Sequence, residues 1–129
     1  MSTSWKPEGY STVSVYIVSD GAQRVIDFLK KTFDATDLRR FDGPDGKIMH
    51  AEVRIGDTVV MIADAAGPYT AFPVWLHVYV PDVDATYKKA LEAGGISVQT
   101  PVRREGDPDK RGGFKDPGGN TWWVSTQAG

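Results

Sequence analysis

Two histidines and a glutamate are the side chains of this sequence best suited to chemistry. His50 and Glu52 alternate along one predicted β-strand, and His77 lies in another. Two imidazoles and one carboxylate form the ligand set of non-haem iron sites, and the same groups transfer protons in general acid–base catalysis. If the two strands meet, His50, Glu52 and His77 form an alternative divalent-metal site. A metal-free acid–base catalyst using His77 or Glu52 is a further alternative.

Aromatic residues lie on the same predicted strand faces as the histidines. Trp75 and Tyr79 flank His77 at a spacing of two residues, and Tyr16 occupies the matching face of the first strand. Side chains alternate between the two faces of a strand, so these residues share one side of a sheet. Because a solvated face seldom collects so many aromatics, we predict a surface that binds a small molecule, with a dimer interface as the ordinary alternative. The residues predicted for this surface are Ser14, Tyr16, His50, Trp75, His77 and Tyr79.

The composition predicts one soluble cytoplasmic domain spanning residues 1–129. Fifteen basic and 17 acidic residues give a net charge of −2, so neither nucleic acid nor an anionic membrane is an expected partner. The chain has no cysteine, which excludes disulfides and thiolate metal sites and fits a reducing compartment. No apolar stretch approaches the roughly 20 residues of a membrane helix, and no signal peptide is visible.

Hydrophobic periodicity predicts a strand, a helix and three further strands in the first half of the chain. Residues 12–18 alternate as a strand, and 23–33 have helical spacing. Strands are predicted over 38–41, 47–55 and 58–63, with a hairpin turn between the last two. The aliphatic side of these strands should face the helices; it comprises Val13, Val15, Ile17, Met49, Val53 and Ile55.

The second half repeats this order, which indicates one structural unit used twice. A strand is predicted over 74–80 and a helix over 82–93, followed by strands over 96–102, 114–115 and 121–126. A charged loop is expected over 103–111. The repeat aligns Ser14 with His77 and divides the chain into module one (10–64), a linker (65–73) and module two (74–126). Two such βαβββ modules predict an α+β fold with the helices on one side of the sheets.

Several short sequence motifs resemble those of a known protein family. Ile26-Asp27-Phe28 lies in the first predicted helix, the run 77–84 opens the second half, and the run 116–120 precedes the last strand. In their order and spacing these motifs resemble the glyoxalase/bleomycin-resistance/extradiol-dioxygenase superfamily, also called vicinal oxygen chelate proteins, over about residues 10–126. The run 49–57 is similar to a poorly characterised branch tied by name to phosphonate operons.

The resemblance implies an open, mostly antiparallel eight-stranded barrel around one cavity, commonly within a homodimer. Metal-using members of this superfamily place ligands on the first and last strand of each module. Those positions fall on Ser14, Met61, His77 and Trp123, of which only His77 is a good nitrogen ligand. The resemblance therefore implies no metal at the inherited site and adds Met61 and Trp123 to the predicted ligand-binding residues.

Three functions remain open at this point. The first is metal-independent binding of an aromatic or antibiotic-like molecule, with Trp75, Tyr79 and Trp123 as stacking walls and His50 and His77 as polar anchors. The second is an enzyme, either a lyase or dioxygenase using the relocated metal site or the metal-free acid–base catalyst. The third is a dimeric structural module whose aromatic side chains fill the cavity.

Overall fold

The computed structural model of the chain describes residues 4–128, which form two helices and eight strands. The elements of the first module are β1 (Val15–Ser19), α1 (Ala22–Phe33), β2 (Thr36–Asp42), β3 (Ile48–Ile55) and β4 (Thr58–Asp64). Those of the second are β5 (Trp75–Tyr79), α2 (Val83–Glu92), β6 (Ile96–Val102), β7 (Asp109–Lys115) and β8 (Thr121–Gln127). The predicted α+β fold with tandem βαβββ units is confirmed.

Both modules have the same sheet topology. The strand orders are β1-β4-β3-β2 and β5-β8-β7-β6, so the first strand of each module lies at an edge beside the last strand. The β1–β4 and β5–β8 pairs are parallel and the other pairs are antiparallel. Across the described residues the eight strands form two separate sheets, so the barrel is open.

The two modules meet through the helix-facing sides of their sheets. Val25, Ile26 and Leu29 of α1 are buried under the first sheet, and they belong to the same apolar core as residues of the second sheet. Phe28 lies edge-on to Phe114 of β7 at a ring distance of 5.8 Å. Helix α1 therefore packs against both modules, and burial of its aromatic side chains joins them.

Three local features differ from the sequence predictions. Strand β1 begins at Val15, and Val13 is 82% exposed instead of facing a helix. Met49 is 64% exposed instead of facing the helices. The cause is a β-bulge: Phe41 pairs with His50 and Asp42 pairs with Ile48, so Met49 has no partner in this register. As a result the Ile48 side chain lies in the core in its place.

The third difference is in the segment predicted as a charged loop. Its last residues belong to β7, which pairs with β8 from Asp109↔Gln127 to Lys115↔Thr121. The sequence concealed this strand because Gly112 and Gly113 interrupt the alternation of apolar and polar residues.

Neither α1, with 12 residues, nor α2, with 10, is long enough to cross a bilayer, and the described chain contains no longer apolar helix.

A buried carboxylate organises the turn between β7 and β8. Asp116 is 4% exposed and accepts hydrogen bonds from the backbone N–H of Gly118 at 2.8 Å and of Asn120 at 3.1 Å. Its other oxygen accepts from Nε1 of the buried Trp122 at 2.9 Å. The Asn120 side chain in turn accepts from the N–H of Val74, so this turn also fixes the start of the second module.

We expect Asp116→Ala to lower the free energy of unfolding by about 3 kcal/mol, because several buried donors lose their acceptor at once. Urea unfolding followed by far-ultraviolet circular dichroism measures this. The control is Lys115→Ala, which changes the exposed neighbouring residue. A loss for Asp116→Ala as small as that of the control would contradict the structural role of this carboxylate.

Candidate functional site

Each sheet has a second side, turned away from the helices, on which the predicted site residues lie. In the first sheet Tyr16 pairs with Met61 and Met61 with Glu52, while the core residues occupy the alternate positions. His50, two residues before Glu52 on β3, lies on the same side. We call Tyr16, His50, Glu52 and Met61 the first face.

A continuous chain of hydrogen bonds crosses the first face. The Tyr16 hydroxyl lies 2.9 Å from Nδ1 of His50, and Nε2 of His50 lies 2.8 Å from Oε2 of Glu52. The other Glu52 oxygen accepts from the hydroxyl of Tyr10, a residue of the N-terminal segment. Tyr10 was not among the sequence-predicted residues, because nothing in the pattern of that segment shows that it folds back onto β3.

Electrostatics favour the ionised form of Glu52. Burial, at 4% exposure, favours the neutral acid, but hydrogen bonds from His50 and Tyr10 outweigh burial and lower the pKa of Glu52. The resulting negative charge acts on both tyrosines. The hydrogen bond to Glu52 raises the pKa of Tyr10, and burial together with the Glu52 charge raises the pKa of Tyr16.

The equivalent surface of module two is aromatic. Trp75, His77 and Tyr79 alternate along β5, and His77 pairs with Trp123 of β8. We call Trp75, His77, Tyr79 and Trp123 the second face. The Trp75 and Trp123 rings meet edge-on at 5.6 Å, and the His77 and Tyr79 rings meet edge-on at 4.7 Å. Trp75 is 75% exposed and Tyr79 65% exposed, whereas Trp123 is half-buried.

The half-buried position of Trp123 depends on a glycine. Gly113 pairs with Trp123 across β7 and β8, and a Cβ atom at Gly113 would lie only 2.7 Å from the indole ring. That contact is shorter than side-chain carbons tolerate, so the absence of a side chain at Gly113 allows the Trp123 ring to lie flat against the sheet.

Polar residues of β7 and β8 support His77. Nη1 of Arg111 lies 2.9 Å from the Ser125 hydroxyl and 3.1 Å from Nε2 of His77, and Ser125 also contacts Nε2 at 2.9 Å. The Tyr79 hydroxyl donates to Asp109 at 2.7 Å. Asp109, Arg111 and Ser125 were not predicted from the sequence. If β7 had been recognised, the alternation of residues 109, 111 and 113 would have placed Asp109 and Arg111 on the same side of the sheet as Trp123.

The hydrogen bonds of His77 define its tautomer. A guanidinium can only donate, so Nε2 of His77 is the acceptor and its ring hydrogen is on Nδ1. Burial and then the positive charge of Arg111 lower the pKa of His77, despite the opposing charge of Asp109. His77 is therefore a neutral imidazole at pH 7.

The structure corrects the internal alignment of the two modules. Tyr16 pairs with Met61 as His77 pairs with Trp123, and each lies five residues before its helix N-cap, Gly21 and Asp82 respectively. Tyr16, not Ser14, is therefore the counterpart of His77. Ser14 is half-buried and precedes β1.

The first and second faces are not brought together within one chain. A cleft of about 1000 Å³ between the modules is lined by Trp75, His77 and Tyr79, but its other wall is formed by residues such as Val15 and Val60 instead of the first face. Trp123, Met61 and His50 are also absent from the lining. The two histidines thus belong to separate hydrogen-bond networks.

Within one chain, the side chains of the described residues do not assemble a divalent-metal site. Residues 4–128 contain no cluster of three or more possible ligands among histidine, aspartate and glutamate, so His50, Glu52 and His77 are not assembled into a site within the chain. At the position implied by the family, Nε2 of His77 faces the cation of Arg111, which would repel a metal ion. Met61 and Trp123 add no oxygen or nitrogen ligand.

We expect Arg111→Gln to raise the pKa of His77 towards its ordinary value, because the charge that opposes protonation is removed while Asp109 stays. Nuclear magnetic resonance titration of the imidazole Cε1–H signals measures this. The chain has two histidines, so His50→Gln assigns the signals. Lys110→Gln is the matched control, since Lys110 pairs instead with Asp84. An unchanged titration in Arg111→Gln, or an equal shift in both variants, would contradict the assigned role of Arg111.

Comparisons with known proteins agree with this architecture. An uncharacterized protein of Mycobacterium bovis, Mb0911c, is 37% identical over 121 residues, covering 85% of this chain and 79% of the relative. Among solved structures, TioX from Micromonospora sp. ML1 superposes with a TM-score of 0.76 at 24% identity, covering 91% of this chain and 98% of TioX. TnmS3, an antibiotic binding protein from Streptomyces sp. CB03234, gives 0.68 at 19% identity, covering 92% and 98% of the two chains.

At these identities the two solved structures establish the fold alone. The family is established by a sequence match that spans most of the chain, because the family model of the Glyoxalase/Bleomycin resistance protein/Dioxygenase superfamily matches residues 12–124. This match confirms the resemblance to the superfamily inferred from the sequence motifs. The chain belongs to the glyoxalase/bleomycin resistance protein/dioxygenase superfamily.

Proposed function

We propose that this protein binds a flat aromatic small molecule on its second face and does so without a metal ion. The observation that carries the proposal is the exposure of Trp75 and Tyr79 beside the half-buried Trp123. Large aromatic side chains on an open sheet face are costly to leave in water, and such patches are characteristic of binding sites. A flat ligand would cover these rings and recover the apolar area they expose.

The second face also offers polar contacts. The indole N–H of Trp123 has no partner among the described residues, and because it is shielded from solvent, a ligand acceptor satisfies it only when a neighbouring side chain turns aside. The Nδ1 hydrogen of His77 is a second donor, and its direction is fixed because Arg111 contacts the opposite ring nitrogen. Two donors beside two indole rings favour a ring system that carries carbonyl, ether or ring-nitrogen acceptors.

The comparison with TnmS3 supports a binding function. That protein is described as an antibiotic binding protein, and it shares the fold of this chain. A fold alone does not transfer a ligand, so the aromatic second face, and not the likeness, supports the ligand class.

We further propose that two copies of the chain close the site in the cytoplasm. The modules of one chain meet through the helix-facing sides of their sheets, which leaves Tyr16 of the first face and Trp75 and Tyr79 of the second face exposed. Strand β5, which carries three of the four residues of the second face, also lies at an edge of its sheet. A homodimer that sets the first face of one copy opposite the second face of another would enclose a ligand between them.

Isothermal titration calorimetry tests the binding proposal, with phenazine as a flat probe and 1-adamantanol as a compact saturated one. We expect phenazine to bind and adamantanol not to bind. Trp75→Ala should weaken phenazine binding about tenfold, because about 1.4 kcal/mol of stacking is lost. The control variant is Trp5→Phe, since Trp5 is exposed on the N-terminal segment outside the second face.

Equal binding of both probes, or phenazine binding unaffected by Trp75→Ala, would contradict a site at the second face. Sedimentation velocity tests the dimer: we expect a particle of twice the 14.1 kDa chain mass. A monomer at every concentration would contradict the closed two-copy site.

A further inference from the structure

We propose that Tyr16, His50 and Glu52 form a proton relay through which the first face binds a phenol, or another acidic hydroxyl compound, as its anion. The proton of the ligand is taken up by His50. This inference rests on the proposed function in assuming that small molecules reach the sheet faces. It concerns different residues from those of the second face, so the two proposals can fail separately.

The direction of the hydrogen bonds in the relay follows from the ionisation of its buried residue, Glu52. The Glu52 carboxylate is ionised, and an ionised carboxylate can only accept, so Nε2 of His50 carries the hydrogen that bridges the 2.8 Å contact. In a neutral imidazole the other nitrogen then has a lone pair. Nδ1 of His50 therefore accepts from the Tyr16 hydroxyl at 2.9 Å.

The outer end of the relay is accessible to a ligand. Tyr16 is 42% exposed, whereas Glu52 at the other end is almost completely buried. Rings flank His50 on both sides, with the Tyr16 ring at 5.6 Å and the Phe41 ring at 6.3 Å. Phe41 is 58% exposed, so a ring-shaped ligand that reaches the Tyr16 hydroxyl would find an apolar surface beside it.

The relay can accept one proton without moving a heavy atom. The ligand hydroxyl donates its proton to the Tyr16 oxygen, and the original Tyr16 hydrogen passes to Nδ1 of His50. One O–H bond of the ligand is broken and one N–H bond of His50 is formed, so no proton leaves the complex. The products are a ligand anion that accepts from Tyr16 and an imidazolium held between Tyr16 and the Glu52 carboxylate.

The Glu52 carboxylate lies at hydrogen-bond distance from the imidazolium that this transfer forms. A buried carboxylate beside an imidazole stabilises the imidazolium, as an opposite charge at hydrogen-bond distance does generally. Burial and the Glu52 charge raise the pKa of Tyr16, so Tyr16 keeps a hydrogen throughout and conducts the proton without itself becoming an anion.

The other charged groups around the relay lie at its buried end. Arg39 lies over the Tyr10 ring at 5.4 Å, and Nη1 of Arg54 donates to the Gly9 carbonyl at 3.0 Å. The charge of Arg39 helps to keep Glu52 ionised, and both cations oppose the rise in the pKa of Tyr10.

The probe for the test is p-nitrophenol, whose anion is yellow, at a pH at which the free compound is mostly protonated. We expect binding to wild-type protein to raise the anion fraction about tenfold, the equivalent of one pKa unit. Tyr16→Phe and His50→Gln should each abolish this increase. Tyr69→Phe is the matched control, since Tyr69 is an exposed tyrosine outside both faces.

Calorimetry in buffers of different ionisation enthalpy gives a second readout. If His50 keeps the proton, the binding enthalpy of p-nitrophenol to wild-type protein does not depend on the buffer. Binding of the anion with release of the proton to the buffer, or binding of p-nitrophenol in its neutral form, would overturn the relay. An anion fraction in Tyr16→Phe equal to that of wild type would overturn it as well.

The outcomes separate the two proposals. Failure to bind p-nitrophenol by a protein that binds phenazine overturns the relay and leaves the second-face site in place. Formation of the anion in Trp75→Ala, together with weakened phenazine binding in that variant, supports both. Binding of p-nitrophenol as the anion by a protein that binds phenazine and adamantanol equally supports the relay and contradicts the proposed aromatic site.

Discussion

The packing of α1 between the two modules is the contact on which the rest of the arrangement depends. Phe28 and Phe33 of this helix meet Phe114 and Trp122 of the second sheet at ring distances of 5.2 to 6.0 Å. The helix also covers the first sheet with its aliphatic residues. Because both sheets turn their apolar sides towards this common core, their other sides remain outside it. The positions of both candidate faces follow from where the core is.

The two faces show how one structural unit can acquire two chemistries. Tyr16 and His77 occupy equivalent positions, each beside the last strand of its module. In module one the tyrosine is part of a network that passes through His50 and the buried Glu52 to Tyr10. In module two the histidine contacts the cation of Arg111. The two histidines of the chain consequently carry their ring hydrogens on different nitrogens when neutral, so Nδ1 is an acceptor in His50 and a donor in His77.

Sequence reasoning recovered the architecture because strong local patterns encode it. The apolar periodicity of α1 and the alternation along β3 and β5 give the order of elements, and the repeated order gives the two modules. It was weaker where local patterns are broken. The bulge at Met49 changes which residue faces the core, and the glycines of β7 conceal a strand. The contact of Tyr10 with Glu52 joins residues 42 positions apart and leaves no periodic signal.

Gly113 is an example of a residue on which a binding face depends without contact between that residue and the ligand. In a saturation mutagenesis experiment this position would tolerate almost no replacement, since every side chain begins with the carbon that meets the Trp123 ring. Mutagenesis would therefore identify as essential a position that has no side chain of its own. The shape of the second face at Trp123 of β8 thus depends on which amino acid is encoded at position 113 of the neighbouring strand β7.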